Sequence, residues 1–196
     1  MFANRFTALV DACCLAGALK RNLLLTLAEA EFFRLRWSTR ILDEAERAIT
    51  RILTAKGVVD ADEHAGRARR NMQTAFEEAD VGDYSAMLPA CMGLPDPNDL
   101  HVLAAALKTR AAIIVTDNIK DFPASVLSPL NLEARSADDF IADTIALDTG
   151  RAVAAIRRMR ERLRRPEKTA EILLLDMEAE GLTESVDILR AHVASL

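Results

Sequence analysis

Two short apolar runs, each closed by an aspartate, constrain this chain more than any other feature. Phe6–Val10 (FTALV) ends in Asp11, and Ala111–Thr116 (AAIIVT) ends in Asp117. Runs of this length, apolar and bounded by polar residues, read as buried strands. Between and after them lie longer segments with apolar residues at helical spacing. Helices alternating with short apolar strands predict an α/β fold: a three-layer α/β/α sandwich with a mainly parallel sheet. Ligands of such sheets sit beyond the carboxyl ends of the strands, which is where Asp11 and Asp117 fall if the two strands are parallel.

Local signals place the remaining elements. Leu15–Ala30 reads as one or two helices, and Phe33–Trp37 as extended. Ser38 or Thr39 caps a helix with Ile41, Ala45, Ala48, Ile49 and Ile52 on one face, and Gly57 ends it. A polar helix follows over Ala61–Glu78. Gly82–Asn98 is mostly irregular, with a short strand expected near Tyr84–Leu88. Asp96-Pro97 opens a helix to about Thr109, with proline at its first position. Asn131–Ala134 is a weaker strand, and Ser136 with Asp139 forms a capping signal for a helix to Leu147. Beyond Gly150 everything reads helical, with a break at Pro166. The expected organisation is an α/β domain over 1–149 and a helical extension over 150–196.

The apolar fraction of 51% over 196 residues supplies a full core, without any need for disulfides or a structural metal. Three cysteines, two of them adjacent (Cys13 and Cys14), fit a reducing compartment and give no zinc-binding spacing. No apolar run approaches the roughly 18–20 residues of a membrane span, and Asp11 interrupts any signal-peptide core. The expected location is therefore cytoplasmic, with no membrane association. A net charge of -5 argues against binding nucleic acid by bulk electrostatics. The charge is uneven, however: residues 151–165 hold seven arginines and one glutamate. That run is either a solvated helix face or a strip for phosphate or an acidic partner.

The candidate chemistry lies in carboxylates. Asp11 and Asp117 each have an ordinary reading as helix caps. Asp99, three residues after Asp96, would favour the helix dipole or face the sheet crevice. Glu44 falls on the flank of the apolar stripe, where it either pairs with Arg40 or Arg47 or reaches a site beside the core. Together these residues say more than singly. Carboxylates gathered in one crevice repel one another and need cations to stay ionised. Ligation by oxygen alone selects Mg²⁺ or Mn²⁺. No Gly-rich phosphate loop and no Ser-His-Asp or Cys-His arrangement competes. His101 reads as a helix-surface or polar-contact residue.

The segments VDACCLAG, ILDEAERAI, LPDPNDLHVLAAAL and IIVTDNIKDFP, in that order, resemble the PIN-domain family. More narrowly, the chain resembles the VapC-type toxins of bacterial toxin–antitoxin pairs over about residues 7–145. Its tail resembles the C-terminal extension of one VapC subgroup. The resemblance implies a metal-dependent endoribonuclease that uses Mg²⁺ or Mn²⁺. It implies catalytic and metal-binding roles for Asp11, Glu44, Asp99 and Asp117, with Asp121, the aspartate before Phe122, as the other candidate for the fourth position. Asp96 and Thr116 would support them. Many PIN domains carry Ser, Thr or Asn two residues after the first aspartate; here that residue is Cys13, a poorer hydrogen-bond partner. The resemblance further implies an RNA substrate, a homodimer, and a small antitoxin that inserts a helix and a basic side chain near the acidic site. Lys20, Arg21 and the Arg157, Arg158 and Arg160 strip would contact RNA or antitoxin. A housekeeping PIN nuclease and a non-catalytic PIN-fold interaction module are the alternatives.

Overall fold

The structure, a computed structural model, describes residues 6–163 and 167–196. The break expected at Pro166, and Arg164 and Arg165 at the end of the basic run, lie outside the described residues. The fold consists of two compact units. One joins the described residues up to Gly17 with Arg34–Arg135; the other joins Ala18–Phe33 with the described part of Ser136–Leu196.

The first unit is built on a four-stranded sheet in which every pair is parallel. Its strands are β1 (Thr7–Val10), β2 (Arg34–Arg36), β3 (Ile113–Val115) and β4 (Glu133–Arg135), in the order β2-β1-β3-β4. This is the expected α/β class. Ala8, Leu9, Val10, Ile114 and Val115 are fully buried, so the central strands read as unbroken apolar runs rather than alternating ones. Register pairs Val10 with Val115, which brings the ends of β1 and β3 to the same edge.

Helices of this unit are α1 (Ala12–Ala16), α3 (Thr39–Ala55), α4 (Ala61–Ala75), α5 (Leu100–Thr109) and the single turn α6 (Ala124–Leu127); α2 belongs to the other unit. Ser38 caps α3, its hydroxyl accepting from the Ile41 N–H at 3.2 Å. Ile41, Leu42, Ala45 and Ile49 bury the inner face, and α3 packs on α1 and α4. Ile52, expected on that face, is 37% exposed. Asp96 accepts from the Asn98 N–H at 2.8 Å and caps a 3₁₀ turn, Pro97–Asp99, that runs into α5. The strand expected near Tyr84–Leu88 is instead part of a 3₁₀ segment, Ser85–Cys91, packed on α5. Pro89 inside it cannot donate to a strand ladder.

The second unit is helical: α2 (Ala18–Glu29), α7 (Ala137–Leu147), α8 (Thr149–Arg162), α9 (Ala170–Ala179) and α10 (Thr183–Arg190). Leu23, Leu24 and Leu27 of α2 are fully buried, and that helix packs on α7 and α8. Phe33 meets Phe140 edge-on at 4.9 Å between ring centroids. Ser136 caps α7 as expected, accepting from the Asp139 N–H at 3.1 Å. Asp138 caps a different helix. Its carboxylate accepts from the Glu184 N–H at 2.8 Å, the Ser185 N–H at 2.9 Å and the Ser185 hydroxyl at 2.7 Å, closing the start of α10.

Candidate active site

Three donors converge on Asp11, which is 8% exposed at the end of β1. The Ala12 N–H reaches Oδ1 at 2.6 Å, while the Thr116 hydroxyl at 2.9 Å and the Cys13 thiol at 3.2 Å reach Oδ2. The residue also caps α1, and its own N–H bonds the Val115 carbonyl at 3.0 Å. A buried carboxylate held by several donors keeps one orientation. Thr116 is itself fully buried and accepts from the Asn118 N–H at 3.1 Å, so the turn after β3 fixes the hydroxyl that fixes Asp11.

Asp99 is in the opposite condition. Its Oδ2 is buried and has no hydrogen-bond partner. Burial pushes its carboxyl up to about 6, helped by the nearby charges of Asp11, Asp96, Asp121 and Glu44. Carboxylates that would otherwise ionise near 4 therefore crowd one another here.

Glu44 stands between two nitrogens. Its Oε1 lies 3.2 Å from Arg40 Nε, one helical turn back on α3, and 3.2 Å from His101 Nε2 on α5. The pairing with Arg40 is the ordinary helix-surface contact; the His101 contact turns the side chain inward. His101 is 2% exposed rather than at the helix surface, because α5 is buried on all sides over His101–Ala106. Burial, with Arg40 nearby, pulls its imidazole down to about 4. The ring is therefore neutral at pH 7. Its Nε2 faces Glu44 Oε1 at 3.2 Å, and Nδ1 is buried without a partner.

Asp121 is one of the charges that act on Asp99. Asp121 sits in a 3₁₀ turn after β3, its N–H bonded to the Asn118 carbonyl at 3.0 Å and its carboxylate accepting from Asn118 Nδ2. Asp117 is exposed, and its backbone N–H donates to Cys13 Sγ at 3.4 Å. Position next to the strand favours Asp117; the turn beyond it carries the chain around to Asp121. Asp96 is spent on its cap and adds charge beside Asp99.

The candidate contact residues Lys20, Arg21, Arg157, Arg158 and Arg160 all belong to the helical unit. Arg21 is half-buried, and burial lowers its guanidinium, with Glu180 opposing. Arg157 pairs with Glu161 at 2.8 Å. Arg160 donates to the carbonyls of Leu196 and Lys168, both at 2.8 Å, and so ties α8 to the segments after it. Arg158 is exposed.

A family model described as a PIN domain matches residues 7–120, more than half of the chain. The chain belongs to the PIN-domain family. A second model, the VapC50 C-terminal domain, matches residues 137–191, and the two together make it a VapC-type PIN protein. A stretch of 49 residues is 49% identical to "Putative ribonuclease VapC50" of Mycobacterium tuberculosis (strain ATCC 25618 / H37Rv). That match covers 25% of this chain and 29% of the relative, so it spans less than a third of the relative's length. No solved structure matches.

Within this PIN domain, the donor set around Asp99 fits a hard divalent cation. It offers carboxylate oxygens, one of them buried and unpartnered, in a site whose negative charges repel one another. Among the described residues, no three His, Cys, Asp or Glu side chains stand in a ready ligating group. Cys13 is the residue whose role sequence reasoning undervalued. Its thiol occupies the place of the hydroxyl or amide that many PIN domains carry, and it does donate to Asp11.

Proposed function

We propose that this VapC-type PIN protein is a metal-dependent endoribonuclease, the toxin of a toxin–antitoxin pair. The observation that carries this reading is Asp99, a carboxylate with an orphaned buried oxygen, raised to about 6 by burial and by four neighbouring acids. Mg²⁺ or Mn²⁺ would be held by Asp11, Glu44, Asp99 and Asp121, with Asp117 at the margin. Such an ion supplies the positive charge that lets water hydrolyse a phosphodiester near neutral pH.

The chain's own residues prepare that site. Thr116 and Cys13 fix one oxygen of Asp11 and the Ala12 N–H the other, so the carboxylate is oriented before any ion arrives. Arg40 and neutral His101 hold Glu44 through one oxygen, leaving its second outside these contacts. The cap at Asp96 pins the turn that presents Asp99. Without a cation, this acidic edge would repel the phosphates of RNA, so substrate and ion are expected to bind together. The match to a relative named as a ribonuclease supports RNA as the substrate. No helix among the described residues is long and apolar enough to cross a membrane. We place the activity in the cytoplasm, in a homodimer restrained by a small antitoxin whose basic side chain meets the acidic edge.

Purified protein incubated with total RNA tests this. Cleavage is expected with Mn²⁺ or Mg²⁺ and not with a chelator. Folded Asp11→Asn and Asp99→Asn variants should each lose more than about 100-fold in rate, beyond the loss typical of residues that merely orient a ligand. Cleavage that persists in chelator, or in both variants, would reject the reading.

A further inference from the structure

One sulfur connects the two loops of the acidic edge. Cys13 Sγ donates to Asp11 Oδ2 at 3.2 Å and accepts from the Asp117 N–H at 3.4 Å. It also lies 3.4 Å from the Thr116 hydroxyl that holds the same carboxylate oxygen. Asp11 and Cys13 follow β1, whereas Thr116 and Asp117 follow β3, so the thiol spans the gap between strand ends 104 positions apart in sequence. Cys13 is exposed, whereas its neighbour Cys14 is fully buried. The Cys14 thiol is pushed well up by its contact with Cys13 and by burial, which leaves it inert.

We infer that Cys13 is a positioning residue for Asp11, and that capping its sulfur by a small disulfide or thiosulfonate removes one of the three donors that hold this carboxylate and weakens metal binding at the site. The inference rests on the reading of Asp11 as a metal-binding carboxylate. In the capping step the Cys13 sulfur attacks one sulfur of the reagent. A new S–S bond forms, the thiol proton goes to solvent, and the reagent's other half leaves as thiolate or, from a thiosulfonate, as sulfinate. The capped sulfur has no proton to give Asp11, and its added group crowds the Asp117 N–H. Serine in this place would keep a donor and an acceptor but could not be capped.

The test uses methyl methanethiosulfonate on the full chain, with mass spectrometry to locate the label. Amide NMR without metal reads the bridge, and Mn²⁺ titration reads the site. Labelling of Cys13 and not Cys14 is expected. The Asp117 and Ala12 amide signals should shift, Mn²⁺ affinity should fall by about 10-fold or more, and dithiothreitol should restore both. Cys13→Ser should bind Mn²⁺ within about 3-fold of wild type and ignore the reagent, whereas Cys13→Ala should bind several-fold more weakly. The inference is overturned if Cys13 is not labelled, if labelling leaves the Asp117 and Ala12 amides unmoved, or if Cys13→Ala binds Mn²⁺ like wild type. Wild-type protein that binds no Mn²⁺ would overturn the metal reading instead, while the amide shifts still decide whether the sulfur bridges the two loops.

Discussion

Asp99 and Asp138 are both aspartates in the opening turns of helical segments, and they have opposite fates. Asp138, in the helical unit, accepts two backbone N–H groups and a hydroxyl from the start of α10. Asp99, in the sheet unit, has an oxygen with no partner and four acids for company. The first is a structural carboxylate with every demand met inside the chain. The second has one oxygen for which the chain supplies no donor. A buried polar group without a partner costs stability, and under the proposed function a cation would offset that cost at Asp99.

The sharpest way to break this contrast is to remove each carboxylate and measure urea unfolding without metal. Asp138→Ala leaves two amide donors and a hydroxyl of α10 without their acceptor and should cost about 2–3 kcal/mol. Asp99→Asn removes a charge that burial and like charges disfavour, and should leave stability unchanged or raise it by on the order of 1 kcal/mol at pH 7. Two similar losses would erase the distinction.

Acid titration sharpens it further. Asp99 takes its proton near pH 6 in the folded chain and near 3.8 when unfolded, so folding gains as pH falls through that window. His101 runs the other way. It titrates at about 4 folded against 6.5 unfolded, so its contribution is present above pH 6.5 and lost as pH falls through 4. In metal-free wild type the two slopes oppose. His101→Gln removes one of them, and the variant should gain about 1–2 kcal/mol relative to wild type between pH 6.5 and 4, read from unfolding midpoints.

The smallest effect separates two arginines of α8. Arg160→Ala strands the carbonyls of Leu196 and Lys168 and should cost about 1 kcal/mol. Arg158→Ala, at an exposed position, should stay within about 0.5 kcal/mol of wild type. If RNA or antitoxin binding weakens in Arg158→Ala at unchanged melting temperature, the basic run has a binding role beyond the structural ties of Arg160.

Local chemistry made much of the fold legible. Ser38, Asp96-Pro97 and Ser136 cap where their residue types predict, and AAIIVT contains β3. What could not be read depends on partners distant in sequence. The Ser85–Cys91 segment is settled by Pro89 and by packing on α5, not by its own apolar content. Whether α2 serves the sheet or the helices depends on where Leu23, Leu24 and Leu27 find cover. At the site, adjacency to a strand favours Asp117 and the residue before Phe122 is Asp121; that the turn through Asn118 puts Asp121 among the charges acting on Asp99 is visible only in the fold. His101 reads as a polar surface residue because no local pattern reveals that α5 is covered on all sides over His101–Ala106. The weight of Cys13 appears only when the loop after β3 is seen to donate to its sulfur.

The hydrogen bond from Thr116 to Asp11 joins residues 105 positions apart. A loop of that size closes late, after its conformational freedom has been given up elsewhere. A chain emerging from the ribosome therefore carries Asp11 and Glu44 well before β3 pairs with β1 and supplies the hydroxyl that orients Asp11. Until then Asp11 lacks the Thr116 hydroxyl, and a chain that stops before β3 cannot form this bond.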